Sequence, residues 1–314
     1  MEQLPYNDYG STMRRKFGGR VQKLSIDAGL SCPNRDGTIA FGGCTFCLGE
    51  AFSPSYCRSS NDITEQIDSA LRFHNSRGRK AESYLAYFQS GTNTHASTEQ
   101  LYEIYNKAIS HPAISGIIIG TRPDCISSDI FQLLDDISHR TYLAVEYGIE
   151  SVYDTTLHHV NRGHNFATAA CAVAETKALG IDVGAHFILG LPNESREDII
   201  AGIGRINTLN LDFIKFHQLQ IYNRTAMERE WVEHPERFIF NSKFGQEQYT
   251  DLIIDIIRRL NPDIAVERMV SQAPHHLIAH SPLGGVRPHE VRDMVVNNMI
   301  INKYRQGDLY VTTP

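Results

Sequence analysis

The amino-acid sequence predicts an α/β fold in which a parallel β-sheet is covered by helices. Short runs rich in β-branched residues alternate with longer amphipathic segments along most of the 314 residues. This alternation is typical of strand–helix–strand units, whose crossovers make neighbouring strands parallel. Hydrophobic residues make up 41% of the chain and charged residues 21%, which is the composition of a folded globular protein.

Six short apolar segments are predicted to be the core strands, and a seventh segment gives a weaker signal. Strands are predicted at 21–26, 83–88, 116–119, 142–147, 183–188 and 213–219, with the weaker one at 264–268. Helices are predicted at 63–74, 98–110, 127–140, 166–179, 195–209, 244–260 and 291–303. Two of the helices begin with sensible capping residues, since Ser97 precedes one and Ser195 precedes another.

The sequence shows no repeat, low-complexity tract or linker, so one core domain with terminal extensions is predicted. The predicted division is an N-terminal basic extension at 1–20, a core at 21–260 and a C-terminal extension at 261–314. Six parallel strands form either an open sheet or a partial barrel, and periodicity alone does not distinguish them. In both arrangements the active site is expected at the carboxyl ends of the strands.

Composition also restricts the partners and the location of the protein. The net charge of −6 argues against a protein coated in basic residues for duplex binding. The basic residues at 14–23 form either a solvated surface segment or one that contacts phosphate. The first residues lack the apolar run of a signal peptide, and no apolar run is long enough to span a bilayer. A cytoplasmic protein with no membrane association is therefore expected.

Cys32, Cys44 and Cys47 form the pattern C-x11-C-x2-C on a glycine-rich loop after the first predicted strand. Such closely spaced thiols indicate a metal or an iron–sulfur cluster rather than disulfides. Three ligands instead of four leave one metal site open for a substrate or cofactor, which indicates an enzyme. The alternative is a structural zinc site that uses Cys57 as its fourth ligand, although such sites usually contain two C-x2-C knuckles.

Small, polar and acidic residues follow the other predicted strands. The second to fifth strands end in or are followed by QSGTNT, GTRPD, EYGIE and HFILGLP. Because the carboxyl ends of parallel strands meet at one edge of the sheet, these residues are expected to gather near the cysteines.

The cysteine loop, with Phe46 before the last cysteine, resembles the cluster loop of radical S-adenosylmethionine (SAM) enzymes. The first spacing departs from the commonest C-x3-C-x2-C pattern and is similar to the expanded loop of the branch related to the Elongator catalytic subunit. Further blocks, spread over about residues 18–220, resemble the YhcC/YtqA-like radical SAM family in order and spacing. These blocks are VQKLSIDAGLSCPNRDG, YFQSGTNTHA, GTRPDC, EYGIES and HFILGLPNES.

This resemblance implies a partial (β/α)6 barrel of the radical SAM type and two cofactors, a [4Fe–4S] cluster and SAM. It implies that the three cysteines bind three irons and that the fourth iron chelates the amino and carboxylate groups of SAM. Transfer of one electron to the sulfonium gives methionine and a 5′-deoxyadenosyl radical that abstracts hydrogen. An electron donor such as flavodoxin or ferredoxin is expected as a partner.

The resemblance and the strand ends together suggest which residues contact SAM. Alternatives remain for each of them: Phe46 is also suited to anchor its loop in the core, and Glu146 to form a salt bridge inside the barrel. Gln89, Thr92 and Asn93 are equally suited to simple loop hydrogen bonds. The expected cofactor contacts are Phe46, Gln89, Thr92, Asn93, Glu146, Ile188 and Gly190.

The resemblance leaves the substrate open, and two clues favour RNA. Relatives of the Elongator type act on the wobble uridine of tRNA, and the basic stretch at 14–23 is expected to adjoin the cysteine loop. A single exposed base of the anticodon loop can be presented to an acidic protein.

The reaction expected from the family converts the carboxymethylaminomethyl group of that uridine to aminomethyl. A cation should then bind the substrate carboxylate, and Arg122, Arg162 and Lys215 are the candidates. The alternatives are a radical SAM enzyme that acts on a small metabolite and a zinc-stabilised protein that binds RNA.

Overall fold

The computed structural model describes residues 4–49, 56–57, 62–240 and 245–311. The strands are β1 (Val21–Ile26), β2 (Ser83–Phe88), β3 (Ile114–Thr121), β4 (Tyr142–Glu150), β5 (Asp182–Leu189), β6 (Phe213–Gln218), β7 (Ile221–Tyr222), β8 (Ala265–Arg268) and β9 (Ile278–His280). The helices are α1 (Tyr9–Phe17), α2 (Ile63–Asn75), α3 (Thr98–Ile109), α4 (Ser128–Ser138), α5 (Asp154–His159), α6 (Phe166–Ala178), α7 (Arg196–Asn207), α8 (Ala226–Glu233), α9 (Gln246–Arg259) and α10 (Pro288–Ile301).

The predicted alternation of strands and helices is confirmed. β1 and β2 have the predicted bounds, and the other predicted strands and helices differ only at their ends. The predicted capping residues also act as such, because the side chains of Ser97 and Ser195 accept backbone N–H bonds at the starts of α3 and α7. Phe244, the first residue of one predicted helix, lies outside the described residues. The prediction missed α1, α5, α8, β7 and β9, most of which are too short to show a clear periodic pattern of apolar residues.

An ion pair between its two edge strands shows that the main sheet is curled into a partial barrel. Seven parallel strands pair in the order β1-β2-β3-β4-β5-β6-β8, so that β1 and β8 lie at opposite edges. Lys23 Nζ on β1 nevertheless lies 2.6 Å from Glu267 Oε2 on β8. A flat sheet of seven strands would separate its edges by about 29 Å. The predicted partial barrel is therefore confirmed, and β8 extends the six core strands by a seventh.

α1 fills the gap between the two edge strands. It packs against both β1 and β8, and its residues Tyr9 and Met13 are buried against inward-facing side chains that include Leu85 and Phe213. These side chains lie toward the amino-terminal ends of their strands. α1 therefore plugs the bottom of the barrel and leaves its carboxyl-terminal end open.

The basic stretch at 14–23 does not adjoin the cysteine loop, contrary to the prediction. Lys16 pairs with Asp182 at the start of β5, and Arg20 N donates to the carboxylate of Glu82, just before β2. Both contacts lie at the amino-terminal edge of the sheet, whereas the cysteine loop follows the carboxyl end of β1. Lys23, the last residue of the stretch, lies inside the barrel.

Helices on the convex face complete the core. Leu101 and Tyr105 of α3 and Leu134 and Ile137 of α4 are among the apolar residues that are buried there. This burial of one helical face is the main source of stability in such a fold. Within the described residues, no helix is both long enough and apolar enough to cross a membrane.

Candidate active site

A cavity of about 850 Å³ lies at the carboxyl-terminal end of the barrel. Its wall is formed by inward-facing residues of the strands and by the loops that follow them. Cys32, Cys44 and Cys47 all line this cavity. The predicted gathering of the cysteines and the strand-end residues at one edge of the sheet is therefore observed.

Hydrogen bonds hold the cysteine loop in place. Cys47 N donates to Cys44 O at 3.0 Å, which forms a tight turn between the two thiols. Asn34 Nδ2 donates to Asn161 O at 2.7 Å, and Asn161 Nδ2 donates in return to Gly43 O at 2.9 Å. The loop is thus tied to the segment that follows α5, although that segment is distant in sequence.

Cationic and amide donors point at two of the three sulfur atoms. Arg35 Nη2 lies 3.4 Å from Cys47 Sγ and 2.8 Å from Cys47 O. Arg162 Nη1 lies 3.5 Å from Cys44 Sγ, and Asn34 Nδ2 lies 3.6 Å from the same atom. Such donors stabilise thiolates and tune the reduction potential of a cluster that the thiolates bind.

The donor set fits an iron–sulfur cluster better than a mononuclear metal. No group of three or more His, Cys, Asp or Glu in the described part of the chain is arranged to hold a single ion. Thiolates of a [4Fe–4S] cluster each bind a different iron, so they need not converge on one point. Burial raises the pKa of Cys47 to about 11, and the Arg35 guanidinium only partly offsets this effect. Metal binding at Cys47 is therefore coupled to release of a proton.

Cys57 does not join the three other thiols. It is buried away from the cavity wall, and its Sγ donates to Gln66 Oε1 at 3.4 Å. Burial, together with the nearby Asp27, raises the pKa of Cys57 to about 12. The zinc alternative requires Cys57 as a fourth thiolate, and this environment favours the neutral thiol.

Five of the seven residues predicted to contact SAM lie on the cavity wall. Phe46 both lines the cavity and packs against the core, so it combines the two alternatives considered for it. The five residues are Phe46, Gln89, Thr92, Glu146 and Ile188.

Asn93 and Gly190 lie behind the cavity wall. Asn93 is fully buried, and its Nδ2 donates to Phe88 O at 3.0 Å and to Gly120 O at 2.8 Å. It therefore ties the ends of β2 and β3 together. Gly190 has a φ of +85°, and a Cβ at this position would lie 2.4 Å from the ring of Phe240. Its role in the structure is to allow this close approach.

The loop after β2 contacts the cysteine loop through Gly91 and Thr92. Thr92 N donates to Ser31 O at 3.1 Å. Gly91 has a φ of +77°, and a Cβ there would lie 2.3 Å from Leu30 O. A side chain at Gly91 would therefore strain the backbone and also push the two loops apart.

We expect Gly91→Ala to lower the free energy of unfolding by about 3 kcal/mol, because strain and a backbone clash act together. Gly78→Ala is the matched control, since Gly78 has a φ of +65° and, among the described residues, only its own atoms and its chain neighbours lie within 4 Å of the position that its Cβ would take. Gly78→Ala is expected to lower the free energy of unfolding by about 1 kcal/mol, because only the strain of a left-handed backbone conformation acts there. Urea denaturation of the two variants measures the difference in their free energies of unfolding. If both variants lose the same free energy, the contact between the two loops does not contribute to stability.

Glu146 is the centre of a buried ion-pair network inside the barrel. It is 1% exposed, and its carboxylate lies 2.7 Å from Lys23 Nζ, 2.5 Å from Lys215 Nζ and 2.9 Å from His186 Nε2. Glu267 is the second anion of the network, at 2.6 Å from Lys23 and 3.3 Å from Lys215. The salt-bridge alternative considered for Glu146 is therefore present, and the carboxylate forms part of the cavity floor.

The three cations predicted to bind a substrate carboxylate already have partners. Arg122 forms a bidentate pair with Asp124, with N–O distances of 2.9 and 2.7 Å, although its Nη1 has no partner in the described structure. Arg162 donates to Gly148 O and faces Cys44. Lys215 lies in the ion-pair network.

Sequence reasoning missed three residues of the cavity wall that bear on its chemistry. Arg35 faces Cys47 and follows closely on Cys32 within the block CPNRDG. His217 and Arg268 lie near the ends of two strands that were predicted correctly. Their positions at strand ends were a usable signal, but the orientation of their side chains depends on the curl of the sheet.

Comparisons with known proteins agree with this geometry. A sequence model described as the radical SAM superfamily matches residues 35–203, and one described as the radical SAM C-terminal domain matches residues 211–301. YtqA of Bacillus subtilis is 34% identical over 91% of this chain and 87% of its own length.

Two further comparisons concern a more distant sequence relative and a solved structure. A tRNA uridine(34) acetyltransferase of Dehalococcoides mccartyi is 27% identical over 54% of this chain and 36% of its own length. The structure of the archaeal Methanocaldococcus infernus Elp3, with an N-terminal deletion, superposes with a TM-score of 0.68 at 15% identity. That match covers 91% of this chain and 64% of the archaeal chain, so it shows a shared fold.

Proposed function

The chain belongs to the radical SAM superfamily, whose enzymes use a [4Fe–4S] cluster and SAM, and from this premise we propose that it modifies the wobble uridine of tRNA. The observation that carries the proposal is the position of Cys32, Cys44 and Cys47 on the wall of a deep cavity. A volume of about 850 Å³ lies in the upper part of the range for small-molecule sites. Such a cavity is suited to a cofactor together with one extruded base.

Each part of the cavity has a separate role in this proposal. Cys32, Cys44 and Cys47 bind the cluster, and Arg35 and Arg162 direct N–H groups at two of the three sulfurs. When bound, the cluster supplies the electron that cleaves SAM to methionine and a 5′-deoxyadenosyl radical. The plug formed by α1 and the ion-pair network below the cavity exclude water from the bottom of the barrel.

The side chains on the wall orient SAM. Phe46 and Ile188 provide apolar surface for the adenine, and Gln89 and Thr92 provide hydrogen-bonding groups on the loop that contacts the cysteine loop. Glu146 is held ionised by its lysine partners, because their attraction outweighs the effect of burial and keeps its pKa well below 4.5. It therefore offers a fixed negative charge at the floor of the cavity.

The substrate assignment is supported by the relatives and by the chemistry of the group removed. The name of the Dehalococcoides relative identifies uridine 34 of tRNA, which is the wobble position. We assign the carboxymethylaminomethyl group of that uridine as the part that reacts. Hydrogen abstraction from the methylene between the nitrogen and the carboxylate is favourable because both groups stabilise the resulting radical. Transfer of one electron from this radical to an iron–sulfur acceptor would give an imine, and water would hydrolyse the imine to the aminomethyl group and glyoxylate.

A strain that lacks the gene tests this substrate. We expect its tRNA to accumulate carboxymethylaminomethyluridine and to lose aminomethyluridine, because the removal step is absent. Mass analysis of tRNA nucleosides measures both. The wild-type gene and the Cys57→Ala variant should restore the normal pattern, and the Cys44→Ala variant should not. Unchanged wobble uridines in the deletion strain would contradict the RNA substrate and favour a small metabolite.

A further inference from the structure

We propose that Arg268 binds the carboxylate of the substrate side chain, an inference that rests on the function proposed above. Arg268 is the last residue of β8 and lies on the cavity wall. No family motif used above includes it, and it was not among the candidates from the sequence.

An irregularity in strand pairing explains how Arg268 reaches the cavity. Ile214 pairs with Val266, and the next residue of β6, Lys215, pairs with Arg268, so β8 contains one extra residue, Glu267. Such a bulge changes the direction of the side chains that follow it. Glu267 faces the ion-pair network by ordinary alternation along the strand, on the same side as Ala265, and the bulge turns its neighbour Arg268 toward the cavity as well.

Arg268 differs from the three other arginines of the cavity wall in having no hydrogen-bonding or ionic partner in the described residues, since Arg35 donates to Cys47, Arg122 pairs with Asp124 and Arg162 pairs with Glu150. No hydrogen bond or ion pair joins its guanidinium to any part of residues 4–49, 56–57, 62–240 and 245–311, whereas Arg122 is paired with Asp124. The two nearest anions of the floor are already occupied, since Glu146 and Glu267 are shared between Lys23 and Lys215. Arg268 therefore adds an uncompensated positive charge to the wall.

The surroundings of Arg268 strengthen its attraction for an anion. Arg268 lies opposite Lys215 in the strand register. Burial is the main cause of the lowered pKa of Lys215 and of His217, and the charge of Arg268 lowers both further, after that of His186 in the case of His217. His217 Nε2 is buried and has no hydrogen-bond partner in the described structure. A guanidinium beside a second polar group that is not yet hydrogen-bonded is a suitable site for a carboxylate.

A substrate that carries a carboxylate next to the reacting methylene matches this arrangement. The planar guanidinium can bind both carboxylate oxygens and so fix the orientation of the group that loses hydrogen. A product without the carboxylate would lose this contact. Arg268 thus distinguishes substrate from product, and it is a binding residue rather than the source of the radical.

Equilibrium binding to the reconstituted, unreduced enzyme tests this role without turnover. The probes are two anticodon stem-loop RNAs, one with carboxymethylaminomethyluridine at the wobble position and one with the methyl ester of the same side chain. We expect wild-type protein to prefer the acid by about tenfold, which is the effect of one charge-assisted bidentate contact. Arg268→Gln should bind both RNAs equally, and Arg268→Lys should retain part of the preference.

The controls separate the possible outcomes. Arg14→Gln changes an exposed residue of α1, at the end of the barrel opposite the cavity. It should weaken the binding of both RNAs equally or leave the binding of both unchanged. If Arg268→Gln keeps the full preference, or instead loses affinity for SAM, the inference is overturned while the proposed function stands. If wild-type protein shows no preference for the acid, the proposed substrate and the role of Arg268 are both overturned. Unchanged cluster absorbance and thermal midpoint in Arg268→Gln confirm that it is folded.

Discussion

Replacement of Cys32, Cys44 or Cys47 by alanine is expected to abolish cluster binding and SAM cleavage, with activity reduced by more than about 100-fold. The physical reason is that each thiolate would bind a separate iron of the proposed cluster. Cys57 is buried against Gln66, and neither Cys57 nor Cys125 lines the cavity. Loss of one ligand therefore leaves an incomplete cluster.

Anaerobic reconstitution with iron and sulfide measures this effect. The visible absorbance and the iron content per chain report cluster binding, and production of 5′-deoxyadenosine after addition of dithionite reports SAM cleavage. Cys57→Ala is the matched control, because it removes a buried thiol of the same loop region without touching the cavity. It should keep full iron content and activity. Loss of the cluster in Cys57→Ala, or colourless wild-type protein with one zinc, would contradict the ligand assignment.

Glu146→Gln is expected to lower the free energy of unfolding by about 3–5 kcal/mol, because it removes one of the two anions that neutralise a pair of buried lysines. Lys215 is 1% exposed and has Glu146 as its nearest charged partner, at 2.5 Å. Burial lowers the pKa of Lys215 to about 8, so the ammonium is still protonated at pH 7. In the variant, Lys215 must therefore either keep its charge with the more distant Glu267, at 3.3 Å, as its partner or release its proton.

The double variant Glu146→Gln/Lys215→Met sharpens this test. Removal of both charges should be less destabilising than the sum of the single changes, because each single change leaves a buried charge without its nearest partner. Lys107→Ala is the control for an exposed pair, since Lys107 and Asp62 are both largely accessible. It should change stability by less than about 1 kcal/mol. Urea denaturation measures wild-type protein, the two single variants, the double variant and the control. A double variant whose loss of stability equals the sum of the two single losses would contradict the coupling.

The same network predicts a dependence of stability on acidic pH. The pKa of Glu146 is well below its ordinary value of 4.5, because Lys215 and Lys23 outweigh the opposing effect of burial. A carboxyl group of this kind stabilises the fold fully above pH 4.5, and this contribution is lost as pH falls toward the lowered pKa. The free energy of unfolding of wild-type protein should therefore fall below pH 4.5, and that of Glu146→Gln should fall less steeply. If the free energies of unfolding of the two proteins fell equally steeply with pH, Glu146 would not be the group responsible for the loss of stability.

The sequence by itself determined the elements that depend on local patterns. The β-branched runs predicted the core strands because alternation of burial along a strand is a property of neighbouring residues. The spacing of Cys32, Cys44 and Cys47 likewise indicated a cluster loop, since ligands that lie close in sequence stay close in space. Placement of the strand-end residues followed from one general rule about parallel sheets.

Only the tertiary structure decided which of these residues act together. The pair formed by Lys23 and Glu267 joins residues 244 positions apart, and no local period reports such a contact. Asn93 and Gly190 lie behind the cavity wall because their partners come from other strands and loops. Arg268 faces the cavity because of one extra residue in β8. Periodicity shows which face of an element is buried, but the partner on the other side depends on how the sheet curls.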